Sequence, residues 1–292
     1  MACSCSQLPF LGAKVFEAVE AYKLLLAQPD EKIDLLKAAS LVACHRYPLL
    51  DHELLVDQLD DLAVQVEGTL PAGAPRYPLR TLQAISQHLY QTLGFRGNKE
   101  DYYSPDNSCI NRVLELRTGI PITLALVYME VARRVGLPML GVNIPGHFFI
   151  TPSLEGTEFL VDPFQGGEIS FLQDVESTLE GIYGNPVKLP PQLLENKHPL
   201  PARVFLARML NNLKQVYMIQ EDYASAYTIS TYQQATRPMD PDIVRDAGLF
   251  LYYLGRIPEC RETLTRYLQM CPPDAEDADK IRRLLERLSQ QQ

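Results

Sequence analysis

One histidine and one aspartate lie at the ends of two consecutive apolar stretches in the middle of the chain. The segment GVNIPGHFFITPSLEGTEFLVDPF (141–164) places His147 at the start of the first stretch and Asp162 at the end of the second. If HFFITP and EFLVDP form a β-hairpin around SLEGT, the symmetric register places His147 directly opposite Asp162. A carboxylate at that distance orients an imidazole and fixes its tautomer. The pattern predicts a His–Asp pair, either a general base or a buried structural pair.

A His–Asp pair in an enzyme usually activates a nucleophile, and the sequence indicates where that nucleophile would lie. The stretch PITLALVYMEVARRVG begins at Pro121, ends at Gly136 and predicts a buried helix. The N-terminus of such a helix favours a thiolate and can bind an oxyanion. No cysteine stands there. We expect Thr123 to be satisfied by a backbone carbonyl and Cys109 to be a buried structural thiol, with nucleophilic attack by either as the alternative.

Three regions with different patterns must position these residues. Residues 1–93 are predicted to form a helical N-terminal region, because apolar residues recur every three or four positions. Residues 94–199 contain the buried helix and the predicted strands MLGVNI, HFFITP and EFLVDP. Residues 200–292 are predicted to be helical. These patterns predict an α+β fold that is mostly helical, with a small antiparallel sheet in the central region.

The third region contains an internal repeat. Residues 207–240 align without gaps with residues 241–274, a spacing of 34 residues that is typical of the tetratricopeptide repeat. The following segment DAEDADKIRRLLERL predicts a final helix that caps a short solenoid. Such repeats form a groove that binds peptide segments of other proteins. We therefore expect a protein or peptide partner, with Tyr217, Tyr227 and Tyr252 as candidate contact residues.

The composition limits the other partners. The formal net charge of −9 argues against nucleic acid and anionic membranes, which attract basic surfaces. No apolar run reaches the roughly 18 residues that span a bilayer. The six cysteines suggest no disulfide framework and the N-terminus does not resemble a secretory signal, so we expect a cytoplasmic protein. We predict no cofactor and no metal site, and the sequence leaves the oligomeric state open.

The motifs together resemble a known family. RTGIPITLALVYMEVARRVGLPMLGVNIPGHFFI (117–150) followed by LVDPFQGG (160–167) resembles the SirB/YchA-like family of transglutaminase-like proteins with a C-terminal tetratricopeptide region. NSCINRVLELR (107–117) and YPLLD (47–51) also match, so the resemblance covers most of the chain. It implies a degenerate transglutaminase and papain-like core within residues 94–199.

The same resemblance assigns roles to individual residues. His147 and Asp162 match the second and third positions of the catalytic triad, and Pro121 stands at the position of the cysteine. Proline has no nucleophilic group. The resemblance therefore implies a non-catalytic protein that acts as an interaction or regulatory scaffold through its repeats and its vestigial cleft.

Two alternatives remain open. The first is an amide- or peptide-bond hydrolase or acyltransferase in which His147 is the base, Asp162 orients it, and water or Thr123 attacks. The second is a small-molecule sensor that uses the vestigial cleft. In each case we expect Asn107 and Gly146 to line the cleft, together with Asn143, since these residue types tolerate unusual backbone conformations or permit close approach.

Overall fold

The computed structural model describes residues 8–71, 77–144, 146–154, 156–189, 199–272 and 274–290. The chain divides into two compact units. Unit 1 comprises Met1–Asp34, Leu41–Leu49 and Leu206–Gln292, and unit 2 comprises Leu35–Ser40 and Leu50–Phe205.

Most elements are helices. They are α1 (Leu8–Leu26), α2 (Leu35–Ala43), α3 (His52–Thr69), α4 (Pro78–Ser86), α5 (Ile110–Leu116), α6 (Pro121–Arg134), α7 (Leu172–Tyr183), α8 (Ala202–Ile219), α9 (Tyr223–Thr236), α10 (Pro241–Tyr253), α11 (Ile257–Met270) and α12 (Ala278–Gln290). A π-helix at Gln87–Thr92 follows α4. None of the helices in the described ranges combines the length and the apolar composition needed to cross a bilayer.

The strands form two small sheets in unit 2. They are β1 (Arg96–Gly97), β2 (Thr118–Gly119), β3 (Met139–Ile144), β4 (His147–Pro152), β5 (Phe159–Asp162) and β6 (Glu168–Phe171). Strands β1 and β2 pair in parallel, and β3-β4-β5-β6 is an antiparallel meander in chain order. The mostly helical α+β class with a small antiparallel sheet is confirmed.

Unit 1 contains the N-terminal helix, the segment Leu41–Leu49 and the repeat helices from Leu206 onward. Helix α1 packs against α9. The ring of Tyr22 meets the ring of Tyr232 edge-on, with centroids 5.0 Å apart, and the Tyr22 hydroxyl lies 2.8 Å from Oγ1 of Thr236. Helices α10 and α11 approach each other so closely that a Cβ at Gly248 would lie 2.5 Å from the Leu264 side chain. Helices α10 and α11 therefore pack directly on each other, and α1 packs on α9.

Helix α6 is the central element of unit 2. It begins at Pro121, whose fixed φ angle and missing N–H suit the first helical position. Its first eight residues, 121–128, are all buried, which agrees with the absence of charge in this stretch. The helix packs against β3, β4 and α3. The predicted central burial of this helix is confirmed.

The register of the sheet differs from the prediction in one respect. Ile150 is paired with Val161, which places Phe149 rather than His147 opposite Asp162. The expected direct opposition of His147 and Asp162 is therefore wrong by two residues. Because side chains alternate between faces with a period of two, this shift leaves both residues on the same face of the sheet.

Candidate functional site

His147 and Asp162 are hydrogen-bonded across the sheet in unit 2. Nε2 of His147 lies 2.8 Å from Oδ2 of Asp162. Asp162 is buried, whereas the imidazole is partly exposed. Because a carboxylate only accepts hydrogen bonds, the proton of this bond belongs to Nε2, and the neutral ring carries its lone pair on Nδ1. The aspartate thus fixes both the tautomer and the orientation of the histidine.

Asp162 also organises the turn that follows β5. Its Oδ1 atom accepts hydrogen bonds from the backbone N–H groups of Phe164 (2.9 Å) and Gln165 (3.2 Å). These bonds start the short 3-10 helix Pro163–Gln165, since the aspartate side chain reaches the amides two and three residues ahead. One carboxylate therefore positions His147 and the adjacent turn at the same time.

Two aromatic rings lie beside the imidazole. The ring centroid of Phe149 is 4.6 Å from that of His147, and the ring of Phe164 meets it edge-on at 6.1 Å. Phe164 fits only because residue 97 is glycine, since a Cβ there would lie 2.5 Å from the phenyl ring. The exposed part of His147 is thus bordered by apolar side chains.

Polar side chains also lie near Phe164. Lys99 Nζ is 3.0 Å from Oε1 of Gln165 and 5.9 Å from the centroid of Phe164. The ring of Tyr102 meets Phe164 edge-on at 6.1 Å. Because Lys99, Gln165 and Tyr102 are exposed, the aromatic border of His147 continues into a polar and cationic rim.

Thr123, the hydroxyl considered as a nucleophile, is fully buried in α6. Its Oγ1 donates to the backbone carbonyl of Asn107 at 2.7 Å and accepts from the N–H of Ile120 at 3.2 Å. The hydroxyl therefore satisfies backbone groups at the start of the helix, which is the structural role expected from the sequence. Within the described ranges, neither a thiol nor a hydroxyl is hydrogen-bonded to His147.

Cys109, the thiol considered as a nucleophile, is also fully buried. It immediately precedes α5, and its backbone carbonyl accepts the N–H groups of Arg112 (2.9 Å) and Val113 (3.0 Å). It belongs to a different helix from α6, as expected. Burial of this kind is typical of structural cysteines.

Asn107 is buried between the loop that follows β1 and the start of α6. Its Oδ1 accepts from Nδ2 of Asn98 at 2.9 Å, and its own Nδ2 donates to the carbonyls of Asp101 (2.7 Å) and Tyr102 (3.1 Å). With its carbonyl bonded to Thr123, Asn107 holds the loop after β1 against α6. It is a buried connector rather than a residue with an open face toward a cleft.

Asn143 and Gly146 flank the short connection between β3 and β4. Asn143 is exposed and pairs with Phe148 in the β3–β4 ladder, and Ile144 pairs with His147. Gly146 has a φ of 74°, a left-handed conformation that glycine adopts without steric cost. Gly146 thus supplies the left-handed backbone conformation immediately before His147, at the start of β4.

A group of hydroxyls formed by Ser86, Tyr90 and Tyr128 lies close enough to Asp162 for its charge to act on Tyr90, and no sequence pattern predicted this group. Ser86 Oγ is 3.1 Å from the hydroxyl of Tyr128, and the ring of Tyr90 stacks on Tyr128 with centroids 6.4 Å apart. Burial raises the pKa of Tyr90 well above its usual value, and the charges of Tyr128 and Asp162 raise it further. The π-helix at Gln87–Thr92 contains Tyr90, but such a distortion has no reliable sequence signal.

The three candidate tyrosines of the tail differ in exposure. Tyr217 is only 1% exposed, and its hydroxyl is hydrogen-bonded to Nε2 of His45, so it does not face a partner in this structure. Tyr227 is half-buried beneath the guanidinium of Arg256, which lies 4.9 Å from its ring centroid. Tyr252 is exposed. We therefore retain Tyr227 and Tyr252, and not Tyr217, as candidates for partner binding.

No group of three or more histidine, cysteine, aspartate or glutamate side chains with metal-binding geometry occurs in the described part of the chain.

Comparison with known proteins places these elements in a family. Residues 53–211 match the transglutaminase-like superfamily, and residues 213–286 match the tetratricopeptide repeat. No solved structure matches the chain.

Individual relatives match over different lengths. A UPF0162 protein of Xylella fastidiosa (strain 9a5c) is 34% identical over 253 residues, which cover 87% of this chain and 89% of the relative. A UPF0162 protein of Vibrio cholerae is 28% identical over 66% of this chain and 70% of its own length. The human protein F-box only protein 21 is 33% identical over 148 residues, which are 44% of this chain and 24% of that protein.

Proposed function

The chain belongs to the transglutaminase-like superfamily, as a relative of the UPF0162 proteins, and from that membership we propose that it is a nucleophile-lacking member that acts as a protein-interaction scaffold. A transglutaminase-like domain followed by tetratricopeptide repeats suggests such a role, because these repeats bind segments of other proteins.

The observation that carries the proposal is the surroundings of His147. Nε2 of His147 is hydrogen-bonded to Asp162, and the aromatic rings beside the imidazole are those of Phe149 and Phe164. In a working triad the other ring nitrogen would face a nucleophile. By its resemblance to the superfamily, Pro121 stands at the cysteine position and supplies no nucleophile. Thr123 is buried, and its hydroxyl is hydrogen-bonded to backbone groups. These features favour a binding role over a catalytic one.

The cysteines of the described residues support a reducing location. Cys44, Cys109 and Cys260 are buried thiols and Cys271 is a partly exposed one, and none of these four forms a disulfide. Disulfides are rare where glutathione keeps thiols reduced. We therefore propose that the protein acts in the cytoplasm.

A second candidate function is an amide or peptide hydrolase with water as the nucleophile. The 2.8 Å bond between His147 and Asp162 favours it, because this geometry is the one in which a carboxylate supports a general base. In this alternative Nδ1 of His147 would remove a proton from the attacking water.

One assay separates the two functions. The full chain and the His147→Ala variant are incubated with a glutaminyl dipeptide, with and without hydroxylamine, and ammonia and hydroxamate are measured. The scaffold proposal expects equal background rates for both proteins. A rate in the full chain that falls at least about a hundredfold in His147→Ala would establish the hydrolase or acyltransferase instead.

A designed thiol gives a complementary result. In the Pro121→Cys variant, the new cysteine stands at the position that the resemblance assigns to the superfamily nucleophile. If the proline alone abolishes activity, this variant should hydrolyse the dipeptide and react with iodoacetamide, and the additional change His147→Ala should remove both effects. The matched control is Ile122→Cys, which places a buried thiol one residue further along α6.

A further inference from the structure

The first helices of the two repeats end in exposed apolar residues. In the first repeat these are Met218 (40% exposed) and Ile219 (58%), at the end of α8. The equivalent residues of the second repeat are Tyr252 (39%) and Tyr253 (60%), at the end of α10. Large apolar side chains at the same position in both repeats form a recurring exposed feature at one end of the helices.

The tyrosines at this end form a stack. The ring of Tyr223, at the start of α9, lies parallel to Tyr253 with centroids 4.3 Å apart and an interplanar angle of 12°. Tyr252 meets Tyr253 edge-on at 5.7 Å. Since Tyr253 is largely exposed, the stack presents aromatic surface to solvent. The faces of such rings carry negative electrostatic potential and attract cations.

A glutamate occupies an unfavourable backbone position next to the stack. Glu221, two residues before Tyr223, has a φ of 57°, which is rare for a residue with a Cβ. The equivalent residue of the second repeat is Gly255, with a φ of 70°. The turn between the repeat helices thus needs a left-handed residue, and glycine would suit both places. A strained non-glycine residue at such a position suggests a role for its side chain.

The side chain of Glu221 adds negative charge to the stack. It is exposed, and no ion pair joins it to another residue in the described ranges. Burial raises the pKa of Tyr223, and the Glu221 carboxylate and Tyr253 raise it further, which agrees with a carboxylate close to the phenol. The neighbouring Asp222 is engaged in capping α9, where it accepts the N–H of Ser225 at 3.0 Å.

A tyrosine one turn away already binds a guanidinium. Arg256 lies 4.9 Å from the ring centroid of Tyr227, and its Nε donates to Glu259 at 2.7 Å. An aromatic face and a carboxylate together hold this arginine within the chain. Tyr223, Tyr253 and Glu221 offer the same two features at the surface, and among the described residues no arginine is bound to them.

We propose that the tyrosine surface, defined as Met218, Ile219, Glu221, Tyr223, Tyr252 and Tyr253, binds a segment of a partner protein in which arginines alternate with apolar residues. The arginines contact the tyrosine faces and Glu221, and the apolar residues cover Met218 and Ile219. This inference rests on the proposed scaffold function and names the partner's chemistry. Because the formal charge of the chain is −9, a basic segment is also favoured over long range.

Peptide binding tests the proposal directly. Fluorescein-labelled peptides (Gly-Leu-Arg)4, (Gly-Leu-Gln)4 and (Gly-Leu-Glu)4 are titrated with the full chain, and anisotropy is recorded at low and at physiological salt. We expect the arginine peptide to bind at least about tenfold more tightly than the glutamine peptide, because each guanidinium adds contacts with a ring or a carboxylate. Equal binding of the two peptides would overturn the proposal.

Matched variants locate the binding. Tyr253→Ala should raise the Kd of the arginine peptide about fivefold, and Glu221→Gln about threefold. The two control variants are in unit 2. Asp57→Asn removes one exposed carboxylate from α3, and Tyr103→Ala removes an exposed tyrosine from the loop between β1 and α5. Both controls should bind like the unchanged chain. If Asp57→Asn and Glu221→Gln weaken binding equally, the peptide senses only the net charge and the surface assignment is wrong.

Two further measurements test whether the tyrosine surface is instead a dimer interface and whether a partner binds elsewhere on the chain. Sedimentation velocity of the full chain and of Tyr253→Ala tests a second copy as the occupant, and a dimer lost on this substitution would overturn the peptide proposal. A protein partner that binds the full chain but is unaffected by Tyr253→Ala and Glu221→Gln would leave the scaffold function standing and reject this surface as its site.

Discussion

His147 and Asp162 are diagonal neighbours in the sheet, and their side chains are nevertheless 2.8 Å apart. Phe149, rather than His147, is opposite Asp162 in the register set by the Ile150–Val161 pair. A diagonal pair of this kind lies on one face within reach of long side chains. The imidazole leans along the strand toward the carboxylate, while Asp162 keeps its other oxygen on the following turn.

Replacement of Asp162 should cost more stability than replacement of His147. Asp162→Ala removes the acceptor of three hydrogen bonds and should lower the free energy of unfolding by about 2–3 kcal/mol. His147→Ala removes one of these bonds at a partly exposed site and should cost about 1 kcal/mol. Urea denaturation of both variants measures the difference, and equal losses would contradict the dual role of the aspartate.

Two glycines should respond in opposite ways to the same substitution. Gly97→Ala puts a Cβ against the Phe164 ring and should destabilise the protein by about 1–3 kcal/mol. Gly68→Ala, inside α3 with open space around it, should stabilise by about 0.5–1 kcal/mol. Thermal melts compare the two, and Phe164→Leu should recover part of the Gly97→Ala loss. A neutral Gly97→Ala would show that Phe164 is free to move away.

His45 should make the stability depend on pH. Burial lowers its pKa from 6.5 to about 4, with a further lowering by Arg46, while the Val42 carbonyl and Asp222 act in the opposite direction. Nδ1 donates to the Val42 carbonyl at 2.6 Å, so Nε2 accepts from the Tyr217 hydroxyl. As the pH falls, His45 is protonated in the unfolded state before it is protonated in the folded state. The contribution of His45 to the free energy of unfolding is therefore fully present above pH 6.5 and falls by up to about 3 kcal/mol as the pH approaches 4.

The measurement is the free energy of unfolding in urea between pH 7.5 and 4.5. His45→Gln should flatten this dependence. Tyr217→Phe keeps the buried imidazole and should lower the stability while it retains the slope, since burial is the main cause of the shift. An unchanged slope in His45→Gln would mean that other groups control the acid sensitivity.

The strained residue of the repeat turn should be improved by glycine. Glu221→Gly removes the Cβ from a left-handed conformation and should raise the free energy of unfolding by about 0.5–1 kcal/mol, after the greater freedom of glycine in the unfolded chain is included. The reverse change at the equivalent position, Gly255→Glu, should lower it by about 1 kcal/mol. Denaturant midpoints check both signs, and a loss in Glu221→Gly would show that the carboxylate stabilises the fold.

Local pattern predicted the elements well where one face of the chain is buried. The uncharged start of α6 after Pro121, the helical repeat of the tail and the strands around His147 all appear where periodicity indicated. The sequence also predicted that His147 and Asp162 lie on the same face of the sheet, because side chains alternate between the two faces along a strand. The sequence did not predict the register between β4 and β5, since this register depends on the turn after β4 and on the pairing of β5 with β6.

The sequence alone determined the class of fold, the repeat and the absence of a thiol at the start of α6, because composition and spacing report them directly. Tertiary structure decided which distant segments meet. It packed α1 on α9, with Tyr22 beside Thr236, and it buried Tyr217 against His45. Periodicity shows which face of a helix is buried but not which helix covers it, because that choice depends on the packing of side chains far apart in sequence.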